Sequence, residues 1–403
     1  MSLTLKWVGK EAAEVVGQTR ALCYAPATRE VPEFQQRLAN DARVTGDDLL
    51  IAHRGGTPVG TTTSYSMTMW VRGQPFPCQG VAWVGTVKTH RRSGGVASGL
   101  MGETLRKARE RGQVISALMP FRASFYEHFG YGLVERRNTW TIPLSILPTE
   151  PTGQFSFITG ADEARRACWQ QMVVNGQCQI ERDDGAWNHW ITNEGESYVV
   201  ADQPKNEPMR SWFVWSQQQQ NGKEILSVNH LAYDSLESLQ RGLSFFATLK
   251  DQYWAVKLNL PADLQLFRLF KETQVPLRPT NHETAETKYF TRMQARVLDH
   301  ERLISGLRLP DDVRGQATVA IAETEGTTAT LRIEFAGGRA GAASTTARAD
   351  IECTDKQWAA IVLGDLPATR AAELSLIKAH SAKALRLLDA FAAGPAPFCS
   401  EYF

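Results

Sequence analysis

Two strand-like runs, the apolar Asp48-Leu-Leu-Ile-Ala-His53 and Val59-Gly-Thr-Thr-Thr-Ser-Tyr-Ser-Met67, follow one another in the first part of the chain. With Arg-Gly-Gly-Thr-Pro between them, the two runs predict a β-hairpin. From Trp7 to about Asn40 the spacing is helical, with one helix over Ala12 to Tyr24 and a second over Val31 to Ala42 after Pro26. Past the hairpin, Met69 to Arg72 turns at Gly73 to Pro77 into a strand over Gly80 to Val87. The meander then feeds a glycine turn and a helix that lines up Val96, Leu100, Leu105 and Ala108 on one stripe, with Gly112 closing it. Gln113 to Met119 alternates poorly and predicts a strand buried on both faces, stopped by Pro120. A short helix over Ala123 to Phe129 ends at Gly130-Tyr-Gly132, and Asn138 to Leu144 predicts the last strand of this unit.

After the Pro143 to Pro151 segment the order repeats. Strands are predicted at Tyr198 to Ala201, Ser211 to Gln217 and Ile225 to Tyr233, then a helix Leu236 to Leu249, a strand Tyr253 to Leu258 and a helix Ala262 to Phe270. A third unit begins near Tyr289: helix Asp299 to Leu307, strands Thr318 to Ala322, Thr328 to Phe335 and Arg348 to Cys353, then helical segments Thr354 to Leu363, Ala371 to His380 and Ala382 to Phe391. The expected units are therefore 1–145, 146–288 and 289–403, in keeping with a length prior of about 150 residues per domain.

Charge adds little to this picture, and that is informative. A formal net charge of +1 with 22% charged residues gives no general pull toward nucleic acid or a membrane surface, so any charge selectivity is local. No run approaches the ~20 apolar residues of a membrane span, and the start of the chain lacks a basic region followed by an apolar core. Six scattered cysteines, Cys23, Cys78, Cys168, Cys178, Cys353 and Cys399, show no C-x-x-C pair and no metal-like spacing to histidine. They read as reduced and buried, and the expected location is the cytoplasm, with no metal cofactor. Eleven tryptophans suit broad apolar clefts as well as core filling.

The chemistry concentrates in Val81-Ala-Trp-Val-Gly-Thr-Val-Lys-Thr-His-Arg-Arg-Ser-Gly-Gly-Val-Ala-Ser-Gly-Leu-Met101, where a strand passes through a glycine turn into a helix. A helix start leaves N–H groups without intrahelical partners and carries the positive end of the dipole, so a pyrophosphate can sit there. No Gly-Lys-Ser/Thr follows, which sets the turn apart from a nucleotide P-loop. Arg92-Ser-Gly-Gly95-Val-Ala97 fits Arg-x-x-Gly-x-Ala and resembles the coenzyme A loop of the GNAT acetyltransferases. In the second unit only Asp-Ser separates Tyr233 from the next helix, so that copy has no such loop.

The glycine loop, Phe125-Tyr126-Glu-His-Phe129-Gly-Tyr-Gly132, the second unit without its loop and the ending Pro395-Ala-Pro-Phe-Cys-Ser-Glu-Tyr-Phe403 together resemble the Eis (enhanced intracellular survival) acetyltransferase family. The resemblance implies an α/β (α+β) fold of tandem GNAT domains followed by a sterol carrier protein-like α/β domain, assembled as a homo-oligomer, a trimer or a hexamer built from trimers. It implies acetyl-CoA-dependent N-acetylation of polyamine-like small molecules, aminoglycosides among them. Carried over by position, Val84, Gly85, Thr86 and Val87 meet the acetyl and pantetheine end. Arg92, Ser93, Gly94, Gly95, Val96, Ala97 and Ser98 meet the pyrophosphate. Tyr126 is then the general acid and the α-carboxylate of Phe403 the general base. Lys88 stands where a proline is common in the family, and Ser93-Gly94 lengthens the loop by one residue.

Acetyl transfer from a thioester to an amine needs a held donor, a deprotonated nucleophile, a stabilised oxyanion and a proton for the departing thiolate. A phenol with a reference pKa of about 10 can protonate a thiolate whose conjugate acid lies near 8.5. Tyr131 is the local competitor and reads as packing; His128, on the same helix as Tyr126, is an alternative acid or base. An α-carboxyl with a reference pKa near 3.5 is a weak base unless burial or a bridging water helps it. Glu401 is a candidate ammonium-binding carboxylate. Two other readings remain: a non-catalytic acyl-CoA or lipid-binding module acting through the third unit, and an acetyltransferase acting on protein lysines.

Overall fold

Three sheets organise the chain in the computed structural model, which describes residues 2–92, 94–149, 155–160, 162–194, 197–273 and 283–403. The first sheet is built on Leu3–Val8 (β1), Leu49–Arg54 (β2), Thr57–Val71 (β3), Gln74–Thr86 (β4) and Ile115–Leu118 (β5), antiparallel throughout except for the parallel β4–β5 pair. Four helices attach to it: Ala13–Tyr24 (α1), Val31–Ala39 (α2), Val96–Glu110 (α3) and Ala123–Glu127 (α4). The hairpin turn between β3 and β4 narrows to Arg72 and Gly73, both with positive φ, the geometry of a two-residue turn that matches strand twist. Pro75 and Pro77 lie ahead of Cys78, where pairing with β5 begins, so their missing N–H groups cost no bond to that neighbour. The edge strand β1 was not expected from sequence: six residues before the first helix give too short a pattern to register.

The units exchange strands. Arg136–Pro143, expected to close the first sheet, lies instead in the second, between Glu286–Thr291 and Ala255–Pro261. Its place beside β5 is taken by Gln294–Val297, which arrives after the second unit and pairs antiparallel with β5 on one side and with Gly132–Leu133 on the other. The boundary at 288 therefore falls inside Glu286–Thr291, and that at 145 parts Arg136–Pro143 from the strands it pairs with. The alternation of Arg136–Pro143 specifies a strand and leaves its neighbour open; at its start Arg137 is buried against Glu135 and donates to the Cys399 carbonyl at 2.7 Å.

The seven-stranded second sheet continues through Lys223–Tyr233, Ser211–Gln220, Tyr198–Asp202 and Phe155–Phe157. Helices Glu163–Asn175 and Asp184–Glu194 were not expected; the first is capped by Asp162, whose side chain accepts from the Arg165 N–H. The helix expected over Ala262 to Phe270 is a single short turn, Leu266–Leu269, that delivers Leu266 and Phe270 to the second core. The five-stranded third sheet gains a hairpin strand, Arg339–Ser344, reached through Gly337-Gly338 with φ of 57° and 72°. The segment expected to be helical to His380 ends at Glu373 and returns as the strand Lys378–Ala379. Trp358 and Phe391 meet edge-on at 6.0 Å between this sheet and its helices, and the core there is continuous with that of the first sheet.

Helix Asp355–Val362 presses on Gly132–Leu133 and Gln294–Val297, and a Cβ on Gly132 would collide with the Lys356 carbonyl. All four residues of Gln294–Val297 are buried. Ala295→Pro removes a donor from this doubly paired strand and should destabilise the protein by about 3 kcal/mol or more. Urea denaturation followed by circular dichroism checks this; an unchanged midpoint would mean the strand is dispensable.

Candidate active site

Backbone hydrogen bonding creates an opening in the first sheet. Parallel pairing of β4 with β5 ends at Val81–Leu118, while β4 runs on to Thr86 with only β3 beside it. The β3–β4 register slips between Thr61 and Thr63, so that Trp83, with φ of 56°, sits in a bulge. Thr62 pins the bulge from across the pair by donating to the Ala82 carbonyl at 3.1 Å. Beyond it the Val87 N–H is taken by the Val59 carbonyl at 2.9 Å. By antiparallel alternation, Thr86 then turns its N–H away from β3 into the opening. Of the four residues expected to meet the pantetheine end, Val87 is thus already committed, Thr86 is directed outward and Val84 belongs to the bulge. Gly85 has a packing reason: a Cβ there would come within 2.9 Å of the Cys23 side chain and 3.0 Å of the Tyr24 ring on α1.

The loop from β4 to α3 turns through positive φ at Arg92, Gly94 and Gly95. Ser93 lies outside the described residues. No side chain caps α3 and no acidic residue stands in its first turn; the first backbone bond, from the Gly99 N–H to the Gly95 carbonyl, leaves the amides of Val96, Ala97 and Ser98 at the helix start without intrahelical partners. A 15-residue helix with a bare, glycine-flanked start is a place for a diphosphate. Around it, Arg54 donates to the Gly94 carbonyl at 3.0 Å and Arg91 to the Cys23 carbonyl at 3.4 Å. Lys88, the departure from the expected proline, anchors the loop to the Ala25 carbonyl just past α1. The donor set fits the pyrophosphate of coenzyme A.

Tyr126 packs against Val81, Met101, Leu105 and Leu118 on the α3 side of the sheet and is buried. Burial pushes its phenol well above the usual range, so it is held protonated. Its hydroxyl has no hydrogen-bond partner among the described residues, whereas that of Tyr131 is 2.6 Å from the Ser116 hydroxyl in a fully buried position. His128 is tied to its own helix through the Ser124 carbonyl. Tyr126 also lies close enough to Tyr24 to act on it: burial first, then Cys23 and Tyr126, raise the Tyr24 phenol, and Tyr24 in turn meets Trp83 edge-on at 5.7 Å.

The chain end docks on the other face. Phe398 N–H donates to the Gln177 carbonyl at 2.8 Å, Ser400 N–H to Gln179 Oε1 at 3.0 Å, and Arg137 to the Cys399 carbonyl at 2.7 Å. Glu401 accepts from Arg182 at 2.6 Å and from the Trp190 indole at 2.5 Å, and Arg182 lies over the Trp169 ring at 3.7 Å. Glu401 is therefore bound on both oxygens and does not serve as the free ammonium-binding carboxylate expected from sequence. Arg43 reaches the Tyr402 carbonyl at 3.3 Å, and the Phe403 ring stands 3.0 Å from where a Gly80 Cβ would be. Phe403 and Tyr126 thus pack on successive residues of β4, Gly80 and Val81, whose faces are opposite.

Three cavities meet around Tyr402. One of about 610 Å³ includes Phe403, Tyr65, Met67 and Arg43; one of about 580 Å³ includes Arg20, Arg37, Asp41, Trp83 and His189; the third, of about 700 Å³, opens over the second sheet and includes Arg292 and His230. Their carboxylates near the bulge are spoken for. Burial alone would raise Asp41, but the Arg43 fork at 2.8 and 2.9 Å and the Tyr65 hydroxyl at 2.7 Å bring it down to about 2. Sequence reasoning missed Arg20, Asp41, Arg43 and Arg182. One signal was available: Arg20 shares a helical face with Ala13, Val16 and Cys23, an apolar stripe where an arginine needs a reason.

Comparisons with known proteins agree with this architecture. The acetyltransferase (GNAT) domain family matches residues 10–134, and the sterol carrier protein domain family matches residues 320–400. No curated protein matches the chain. Among solved structures, a GCN5-related N-acetyltransferase from Anabaena variabilis superposes over 100% of both chains with a TM-score of 0.86 at 16% identity. Eis1 from Mycobacterium abscessus does so over 100% of both with 0.79 at 19%, and a probable N-acyltransferase from Enterococcus faecalis over 100% of both with 0.82 at 15%. Among the described residues no helix is long and apolar enough to cross a membrane, and no group of three His, Cys, Asp or Glu side chains is arranged to hold a metal ion. The protein is an acetyltransferase of mixed α/β fold, with a GNAT domain at its N-terminal end and a sterol carrier protein domain near its C-terminal end.

Proposed function

We propose that the protein transfers the acetyl group of acetyl-CoA directly to the amine of a small molecule, with Tyr126 as general acid and the Phe403 carboxylate as general base. The observation that carries this reading is the end of β4–β5 pairing at Val81–Leu118, beside the bare start of α3 and between the two candidate groups. Bound there, acetyl-CoA supplies the activated acyl carbon. Amides at Val96, Ala97 and Ser98 hold the diphosphate, and the outward N–H of Thr86 with the backbone of Val84 orients the pantetheine arm and polarises the thioester carbonyl.

The two faces of β4 divide the labour. On the α3 face Tyr126 gives its proton to the sulfur as the C–S bond breaks; on the opposite face the Phe403 carboxylate takes a proton from the attacking nitrogen as the C–N bond forms. Desolvation that keeps the phenol neutral also makes the departing thiolate more basic, so donor and acceptor shift in the same direction. The membership of the Eis family, the choice of acetyl over longer acyl groups and the small-molecule acceptor belong to this proposal. Eis1 from Mycobacterium abscessus, alike over the full chain, supports it. The lipid-carrier alternative gains nothing from the third unit, where Trp358, Phe335 and Phe391 fill the space between sheet and helices.

Tyr126→Phe should lower kcat by about 100-fold while acetyl-CoA affinity by calorimetry stays within a few-fold; a loss confined to affinity would make Tyr126 a binding residue. Adding one glycine after Phe403 moves the carboxylate without altering a side chain. That extended protein should bind coenzyme A normally and lose kcat by about 100-fold or more. Normal turnover by it would refute the terminal base.

A further inference from the structure

Arg20 is a buried cation beside the bulge that is ion-paired to no carboxylate among the described residues, Asp41 acting on it only from farther off. It is 3% exposed, on α1, and its Nη2 donates to the Thr63 hydroxyl at 2.5 Å, Thr63 being the residue paired with Ala82 at the bulge. The guanidinium lies over the Trp83 ring at 4.9 Å. Its Nε has no hydrogen-bond partner, and no Asp or Glu among the described residues lies within ion-pair distance. Burial works against its charge, lowering its pKa, yet a guanidinium does not deprotonate in a protein. A buried charge is costly unless it is paired, and among the described residues the Thr63 hydroxyl and the Trp83 ring are the contacts it has.

The rest of the cavity wall does not complete it. Arg20 lines the space of about 580 Å³ with Glu33, Arg37, Asp41, Arg43 and His189. Glu33 faces Arg37 at 3.8 Å, and Asp41 is held by Arg43 at 2.8 Å. His189, near Asp41, is pushed below its usual range by burial and then by Arg43, so it is neutral at pH 7. Two acids cancel two arginines, and one positive charge remains, on Arg20. An acceptor with several ammonium groups would meet that charge with no free carboxylate in the wall.

We propose that the acetyl acceptor is a small amine that carries one carboxylate, as in an amino acid, and that Arg20 binds this carboxylate while the amine reaches the opening beside Trp83. The inference rests on the acetyl-transfer reading above and replaces the polyamine-like acceptor expected from sequence. A single surplus charge matches a monoanion better than a phosphate dianion. A planar guanidinium held by Nη2 on Thr63 at the cavity wall is oriented for a carboxylate. A cavity of this volume suits a compact ligand.

The test compares amines that differ only in the carboxylate: L-lysine with cadaverine, β-alanine with propylamine, and kanamycin as a polycation. Coenzyme A release and product masses are read for the full-length protein. Wild type should favour the carboxylate-bearing member by about 100-fold or more in kcat/KM. Arg20→Gln should erase most of that preference through KM, and Arg20→Lys should restore part of it, since it keeps the charge and loses the fork. Equal or better turnover of cadaverine, propylamine or kanamycin by wild type would overturn the proposal and leave acetyl transfer standing. A preference that survives in Arg20→Gln would overturn it as well. Acetyl-CoA binding with no amine of either kind acetylated would instead sink the acetyl-transfer reading itself. Should Arg20→Gln fail to fold by circular dichroism, the wild-type ratios and Arg20→Lys decide.

Discussion

The buried pairing of Arg182 with Glu401 is what the placement of the last residues hangs on. Arg182 is clasped by Trp169, Trp187 and Trp190 at 3.7, 4.8 and 5.6 Å, so the pair sits in a low-dielectric sleeve where its attraction is strong and its desolvation cost is high. Such a pair adds little net stability over an apolar substitute. What it adds is position: both carboxylate oxygens are bound two residues before the last ring, which lies against Gly80. A chain terminus is ordinarily the least ordered part of a domain. Here Gln177 and Gln179 accept from its N–H groups, and Arg43, Arg137 and Arg182 donate to its oxygens.

A second constraint is the supply of backbone donors. Each buried N–H must find a partner, and two places leave donors facing an opening: where β4 outruns β5, and the start of α3. Glycine at the turn, no capping side chain and no acidic residue in the first helical turn together leave those donors for an outside acceptor. The same economy of partners explains the surplus on Arg20: every acid near it has been claimed by another arginine.

Much of this was legible in the sequence because the relevant signals are local. The turn signal between Asp48 to His53 and Val59 to Met67, the glycines after Arg92 and the stripe from Val96 to Ala108 each specify an element by themselves. Tyr126 was singled out mostly by the family resemblance, with its place after β5 in support, and the fold sets it beside Val81. Sheet membership escaped, since nothing in Arg136–Pro143 or Gln294–Val297 says which edge each will meet. Electrostatic context escaped too. Glu401 reads as a free acid next to an aromatic terminus, and only the fold brings Arg182, 219 residues away in sequence, to within 2.6 Å. Val87 reads like its neighbours until the register spends its N–H on Val59.

Insertion of Gln294–Val297 between β5 and Gly132–Leu133 also sets a timetable for synthesis. A nascent chain that has released only the coenzyme-binding segment holds an unfilled slot in its central sheet, flanked by two strands with exposed edges. The slot stays open until some 160 further residues have left the ribosome, at about 5 to 20 residues per second. During those seconds the growing polypeptide presents the kind of open edge that recruits foreign strands, which makes the early intermediate a natural client for chaperones.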